Sequence, residues 1–415
     1  MGRFDFDVET ANEATGFSGF GGHRLVQIQT GEEMAFAVGE DAADGYVSTL
    51  AALGIEDAEQ LVALAAVPDI QGELETTLGL KKKDFRSLLS QAQETLPPER
   101  LALVSNPAPR DVGLGVLPPT EEMITAAESS FMLAVGLEGA VALPASVNLI
   151  PYMSAIRNQR SRGTCVAFTL TALNEYSLRR RGMTRDLSEQ HLYYETKLID
   201  GAPGGCGTWQ AKAVLVLRDR GECREVIWPY DPNPPCNNHG VRPTQARPDG
   251  LNYKLNTIAV AARDVASYKA HMSKKRPVGI SIPVYNSWYQ SAETRRSGRI
   301  TMRVGNETAV GGHALLLVGY QDSPNSPGGG YFLVRNHWGT TWGSQCPYGA
   351  GYGTIPYQYI TNECWEAYTA AVPGMPGDEG NQEEQEQEGD EQLTAGPSTI
   401  TIDVSPNIKI TISSK

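Results

Sequence analysis

Long hydrophobic runs are missing from this 415-residue sequence. Its apolar stretches are too short, or too broken by charge, to form a spanning helix, and no membrane partner is expected. Basic residues are in deficit, with 35 Lys and Arg against 48 Asp and Glu. A net charge of −13 and a pI near 5.1 argue against nucleic acid as the main partner. The opening residues, MGRFDFDVETANE, lack the basic start and apolar centre of a secretory leader, and no Ser or Thr stands where a myristoylation signal needs one. Cysteine is scarce, six in all, with no zinc-site spacing among them. No metal or other cofactor is expected. These absences point to a soluble, cytoplasmic protein, long enough for two or three domains, whose 40% hydrophobic content supplies a core.

What is present concentrates in three strings. In NQRSRGTCVAF, Gln159 and Cys165 stand six residues apart, ahead of an amphipathic run that reads as a helix. A cysteine at a helix N-terminus meets unpaired amide hydrogens and the positive end of the helix dipole, both of which favour thiolate. A glutamine on the turn before it can direct its side-chain NH2 at the oxygen of a carbonyl under attack. In GGHALLLVGY, His313 opens a run that reads as a buried strand. In YFLVRNHWGTTWG, another apolar strand ends at Asn336, followed by Trp338 and Trp342. An Asn oxygen can hold an imidazole in one tautomer, and a neighbouring indole can shield that bond from water.

Each residue has a plainer reading. A lone buried Cys is ordinarily a small hydrophobe, a His on a strand an ordinary core residue, and the Trp pair core aromatics. The helix start and the upstream Gln reverse that reading for Cys165. Of six histidines only His313 lies in a GGHA context. His337 is its one competitor. Neighbours on a strand face opposite sides, so with Asn336 facing the site, His337 is expected to face away.

With further segments, these strings resemble a papain-like (C1 family) cysteine peptidase of the bacterial type. DLSEQHLYY resembles the family's LSEQ helix, and GGCGTWQAKAVLVLRDRGECREVIWPYD its glycine-rich cleft strand, following helix and YPY turn. LPASVNL resembles the start of the mature enzyme, and the likeness runs in order over residues 143–371. The resemblance implies an α+β, two-lobed fold, with a helical left lobe and an antiparallel β-barrel-like right lobe. It implies Cys165 as nucleophile, His313 as general base and acid, and Asn336 as its orienter. Gln159 and the Cys165 backbone N–H would form an oxyanion hole, and Trp338 would cover the His–Asn bond. It implies a protein or peptide substrate lying in the cleft, beside Gly207 of the short GGCGTW loop and Gly312 ahead of His313. Their small size leaves room for a side chain.

The departures are specific. Where the family has Cys three residues before the nucleophile, this chain has Arg162; where it has Trp after the nucleophile, Val166. The Cys that follows the LSEQ motif is absent, with Tyr193, Tyr194 and Glu195 nearby, and Cys206 has lost its expected partner. Each lost bridge removes roughly 2–4 kcal/mol. Cys206, Cys223, Cys236, Cys346 and Cys364 permit pairs such as Cys223–Cys236, and their odd number leaves at least one unpaired.

Around this region the sequence divides further. Residues 1–44 are Gly- and acid-rich and read as irregular strands and loops. Residues 45–97 read as a small helical module, similar to helix-hairpin-helix or SAM-like domains, with two Leu-Gly turns 25 residues apart. Glu56, Asp57 and Glu59 fall where a helix dipole favours acid, and Lys81, Lys82 and Lys83 read as a solvated face. Residues 98–142 read as a proline-rich linker, then a helix capped by Thr120 that runs through Met123, Ile124, Ala127 and Phe131. This N-terminal part is either a pro-region blocking the cleft or an interaction domain for a protein partner. Residues 378–392, with eight acids and no base, read as a disordered linker within 372–397. Residues 398–415 alternate as two short strands, a tail that docks on the protein itself or on a partner.

The expected activity is a cysteine endopeptidase acting through a Cys165 thioester. The rivals are a papain-fold interaction scaffold without catalysis and an acyltransferase or transpeptidase using the same Cys-His-Asn site.

Overall fold

The computed structural model describes residues 23–28, 34–39, 46, 48–124, 143–235, 238–370, 399–405 and 408–413. The acidic segment 378–392, the expected helix beyond residue 124, and Cys236 lie outside the described residues. The chain divides into two units, Met1–Val372 and Pro373–Lys415.

In the first unit, strands β1 (His23–Ile28) and β2 (Met34–Gly39) form an antiparallel pair. The helices that follow include α1 (Ala58–Ala65), α2 (Ile70–Thr77), α3 (Lys82–Thr95) and α4 (Pro98–Val104). The Asp57 side chain caps α1 by accepting from Gln60 N at 2.9 Å. Phe85, Leu88 and Ala92 line one buried stripe of α3, at helical spacing, where α3 packs on α1. Lys81, Lys82 and Lys83 are exposed.

The rest combines helices with a seven-stranded sheet, all of whose pairs are antiparallel. In chain order come β3 (Ser146–Asn148), α5 (Cys165–Arg180), α6 (Glu189–Lys197), α7 (Gln210–Asp219), β4 (Thr257–Ala259), α8 (Val265–Ser273) and β5 (Val278–Val284). Then follow α9 (Asn286–Tyr289), α10 (Ala292–Ser297), β6 (Gly311–Asp322), β7 (Gly330–Arg335), β8 (Tyr352–Pro356), α11 (Tyr357–Glu363) and β9 (Glu366–Ala370). The order across the sheet is β4-β9-β5-β6-β7-β8, with β3 added to β6. The sheet's spine, β6, is buried from Gly312 to Tyr320. Helix α5 is buried on every side over its first fourteen residues, which is how a helix inside a core behaves. It packs against β6 and β5 on one side and α6 and α7 on the other, so its first residue opens beside the start of β6.

The second unit contains β10 (Thr399–Ser405) and β11 (Ile408–Ser413), paired antiparallel.

Candidate active site

The turn before α5 is held by its own polar groups. Asn158 Oδ1 accepts from Arg160 N at 2.8 Å, and Arg160 takes a left-handed φ of 58°. The Arg162 carbonyl accepts from Thr164 N and from Gln159 Nε2, both at 2.8 Å. Tyr230 donates its hydroxyl to the Gln159 carbonyl at 2.9 Å and shares a 2.8 Å bond with Thr164 Oγ1. Cys165 then starts the helix, fully buried and free. Burial pushes its thiol up to about 11, against backbone hydrogen bonding from Ala314, Gly115, Val166 and Cys165 itself. The Ala314 interaction sets the thiol against the residue that follows His313.

Strand β6 delivers His313, and the residue after β7 delivers Asn336. His313 Nε2 and Asn336 Oδ1 are 3.0 Å apart. With that oxygen as acceptor, Nε2 carries the hydrogen and Nδ1 keeps its lone pair, and Nδ1 has no other hydrogen-bond partner among the described residues. Burial takes His313 down to about 4, opposed by the Asn336 bond. Trp338 stacks on the imidazole at 4.4 Å between centroids and is itself walled by Trp288, Tyr289 and Trp342. One expectation fails. His337 does not face away: its ring lies 5.0 Å from that of His313 and 5.7 Å from Phe168. Strand β7 ends at Arg335, so the two-residue alternation that predicted the opposite no longer applies.

Residues 111–119 run through the space beside these groups. The Gly113 carbonyl accepts from Gln159 Nε2 at 3.0 Å and from Trp338 Nε1 at 3.4 Å. Gly115 N and Val116 N donate to the Gly312 carbonyl at 3.0 and 3.1 Å. Opposite, Thr208 N donates to Gly115 O and Leu117 N to Thr208 O, both at 3.0 Å, which makes Val116 and Thr208 a parallel bridge. The strap therefore bonds to both walls. Leu114 lies against Gly311, Val116 against Gly312 and Leu117 against Gly207, so the room left by Gly312 and Gly207 is taken by the chain's own side chains. The strap needs its glycines: a Cβ on Gly115 would run into the Gly163 carbonyl and one on Gly113 into that of Arg162.

An ionic clamp lies upstream of the strap. Arg296 pairs with Glu59 at 2.9 Å, and Arg299 with Asp57 at 2.6 Å, Glu293 at 3.1 Å and Glu56 at 3.4 Å. Asp111 pairs with Arg295 and is held below the usual carboxylate range by that guanidinium. The acids that read as helix-start residues are thus also partners of α10 and the loop after it. Sequence reasoning missed the strap and clamp; the spaced glycines of VGLGV, between prolines, were the available signal.

Charge stands at Arg162, where the resemblance leads one to expect a cysteine, and at Glu195, in the neighbourhood of the second one it leads one to expect. Arg162, buried, donates to Gln190 Oε1 at 2.7 Å, the Asp231 carbonyl at 2.9 Å and the Asn238 carbonyl at 3.3 Å. Glu195 accepts from Arg220 at 2.7 Å, from Arg247 at 3.0 Å, and from Arg242. The suggested Cys223–Cys236 bridge is absent, since Cys223 is a free thiol against Trp228 and Ala246. Cys206 is disulfide-bonded, while Cys346 and Cys364 are free. Among the described residues no group of His, Cys, Asp and Glu could hold a metal ion, and no helix is long and apolar enough to cross a membrane.

A buried thiol at a helix start, beside an imidazole bonded to an asparagine under an indole, places the chain in the class of papain-type folds. Residues 143–373, over half of the chain, match the model of the papain family cysteine protease, and the chain belongs to that family. It is similar to cathepsin L2 of Homo sapiens, 28% identical over 225 residues, covering 54% of this chain and 62% of the relative. It is also similar to an uncharacterized peptidase C1-like protein of Acanthamoeba polyphaga mimivirus, 23% identical over 182 residues, covering 42% and 55%. The chain thus spans little more than half the length of these relatives. Among solved structures, xylellain, a cysteine protease from Xylella fastidiosa, superposes with a TM-score of 0.51 at 26% identity, covering 63% of this chain and 96% of that one.

Proposed function

We propose that this chain is a cysteine endopeptidase that hydrolyses peptide bonds of protein or peptide substrates, and that residues 111–119 keep it closed. The observation that carries the reading is the 3.0 Å His313–Asn336 bond beneath Trp338, beside the helix that Cys165 begins. With the strap withdrawn and water readmitted, the proton of the buried thiol moves to His313 Nδ1, and thiolate and imidazolium stabilise each other. The thiolate attacks the scissile carbonyl, whose oxygen takes the place of the Gly113 oxygen on Gln159 Nε2, with the Cys165 N–H as second donor. His313 gives its proton to the leaving amine. Water activated by neutral His313 then releases the acyl group from the thioester.

The closed state is supported by the two-walled hydrogen bonding of the strap and by the burial that keeps the thiol neutral. In this reading residues 98–119 act as a pro-region, and the helical module is the clamp that seats it. As to compartment, the Cys206 disulfide supports an oxidising one over the cytoplasm expected from composition.

The test is a peptidyl epoxysuccinyl thiol trap read by intact mass on the full chain, its Gly115→Val variant and that variant with Cys165→Ala. One adduct on Gly115→Val, lost with Cys165→Ala and scarce on the parent, is expected. An adduct that persists in Cys165→Ala, or none on a folded Gly115→Val protein, sinks the reading.

A further inference from the structure

Arg162 holds a charge where the resemblance leads one to expect a cysteine. Its guanidinium is buried, and its three acceptors among the described residues, an amide and two backbone carbonyls, are neutral. It lies over the Tyr193 ring at 4.8 Å and the Tyr230 ring at 5.9 Å. Burying a cation without a counter-charge is costly, so an apolar side chain would be the cheaper filler. What arginine adds is a planar fork of donors with fixed directions.

Those directions converge on one turn. The fork ties residue 162 to α6 through Gln190 and to the segment that holds Asp231 and Asn238. The carbonyl of the same residue accepts from Gln159 Nε2 at 2.8 Å. Tyr230, beneath the guanidinium, takes the other end of Gln159 by donating to its backbone carbonyl at 2.9 Å. The Gln159 side chain and backbone are thus each held by Arg162 or by a ring that Arg162 covers.

We propose that Arg162 is a positioning residue for the oxyanion hole, keeping Gln159 Nε2 aimed at the place the Gly113 oxygen occupies. The role rests on the peptidase reading above. Once the strap leaves, Gln159 loses its bond to Gly113; its backbone is still held by the Tyr230 hydroxyl and by its own N–H donating to the His337 carbonyl at 2.9 Å, and its side chain by the Arg162 carbonyl.

The test uses the full chain opened by Gly115→Val, with Arg162→Lys, Arg162→Met or Tyr230→Phe added. Two reactions are compared. Amide hydrolysis passes through an oxyanion. Alkylation of Cys165 by iodoacetamide forms an S–C bond and expels iodide at a saturated carbon, with no oxyanion. Arg162→Met is expected to lower kcat roughly tenfold or more with little change in KM, while alkylation stays within about twofold. Arg162→Lys, which keeps charge but not the fork, and Tyr230→Phe, which keeps the ring, are expected to show the same split more weakly. Parallel loss of both reactions, a change in KM alone, or unchanged kcat in Arg162→Met overturns the role. An opened parent that alkylates but does not hydrolyse overturns the peptidase reading instead, and the role with it.

Discussion

Nε2 of Gln159 donates to the carbonyl of Gly113 at 3.0 Å, so the side chain suited to steadying an oxyanion is engaged by the chain's own backbone. The strap offers this site a backbone carbonyl, and three residues on, at Val116, it forms a parallel bridge with Thr208.

Gly115→Val is expected to open the site. The added Cβ has no place beside the Gly163 carbonyl, and neither partner is the free end of a flexible side chain. An overpacking penalty of about 1–3 kcal/mol on the closed form raises the open fraction roughly 5- to 150-fold. The iodoacetamide rate at Cys165 reads this directly, and an unchanged rate would mean that the strap leaves by another route or does not close the site.

Gln159→Ala is expected to move two measurements in opposite directions. It removes a donor from the strap, so labelling of Cys165 in the full chain should rise. In the proposed mechanism it also removes an oxyanion donor, so turnover in the Gly115→Val background should fall on the order of 100-fold. Unfolding would also expose Cys165, so an unchanged melting temperature of Gln159→Ala is required before the rise in labelling counts.

The places of these residues were legible in the sequence because they sit in short strings with local signals: a helix start at Cys165, a buried strand at His313, a strand end before Asn336. The strap was not, because it depends on distant partners. Gly113 to Val116 find theirs at Gln159, Thr208 and Gly312, and nothing in a proline-flanked glycine run names them. His337 was misplaced for a related reason. Its orientation follows from where β7 ends, one residue before Asn336, and a one-residue shift in a strand boundary reverses an alternation argument.

Arg299→Gln is expected to loosen the clamp. Arg299 bridges Asp57 and Glu56 of the helical module to Glu293 of α10; burial disfavours its charge, and these acids more than restore it. The side chain remains 30% exposed, which keeps each pair weak. A loss of roughly 0.5–1 kcal/mol should speed labelling of Cys165 in the full chain about two- to fivefold. Added salt should speed labelling of the parent and act less on the variant. Equal salt responses would place the latch elsewhere.

Glu195→Gln tests whether charge has replaced a crosslink. Burial alone would raise this carboxyl, but bonds from Arg247, Arg242 and Arg220 overcome it and hold the group at about 2, below its ordinary 4.5. A depressed carboxyl stabilises the fold above its unfolded value, and that stability is lost as pH falls from 4.5 toward 2. The parent's melting temperature should therefore drop through this window more steeply than the variant's. At neutral pH the variant leaves three guanidiniums without their counter-charge and with one acceptor oxygen in place of two, and about 3 kcal/mol of destabilisation is expected, the low end for a broken buried pair because the arginines keep contact with water. Thermal melts of both proteins across that range decide the matter. If the two curves keep a constant separation down to acid, Glu195 contributes through shape and packing, and the charge network is not what holds α6 to the segment around Arg242 and Arg247.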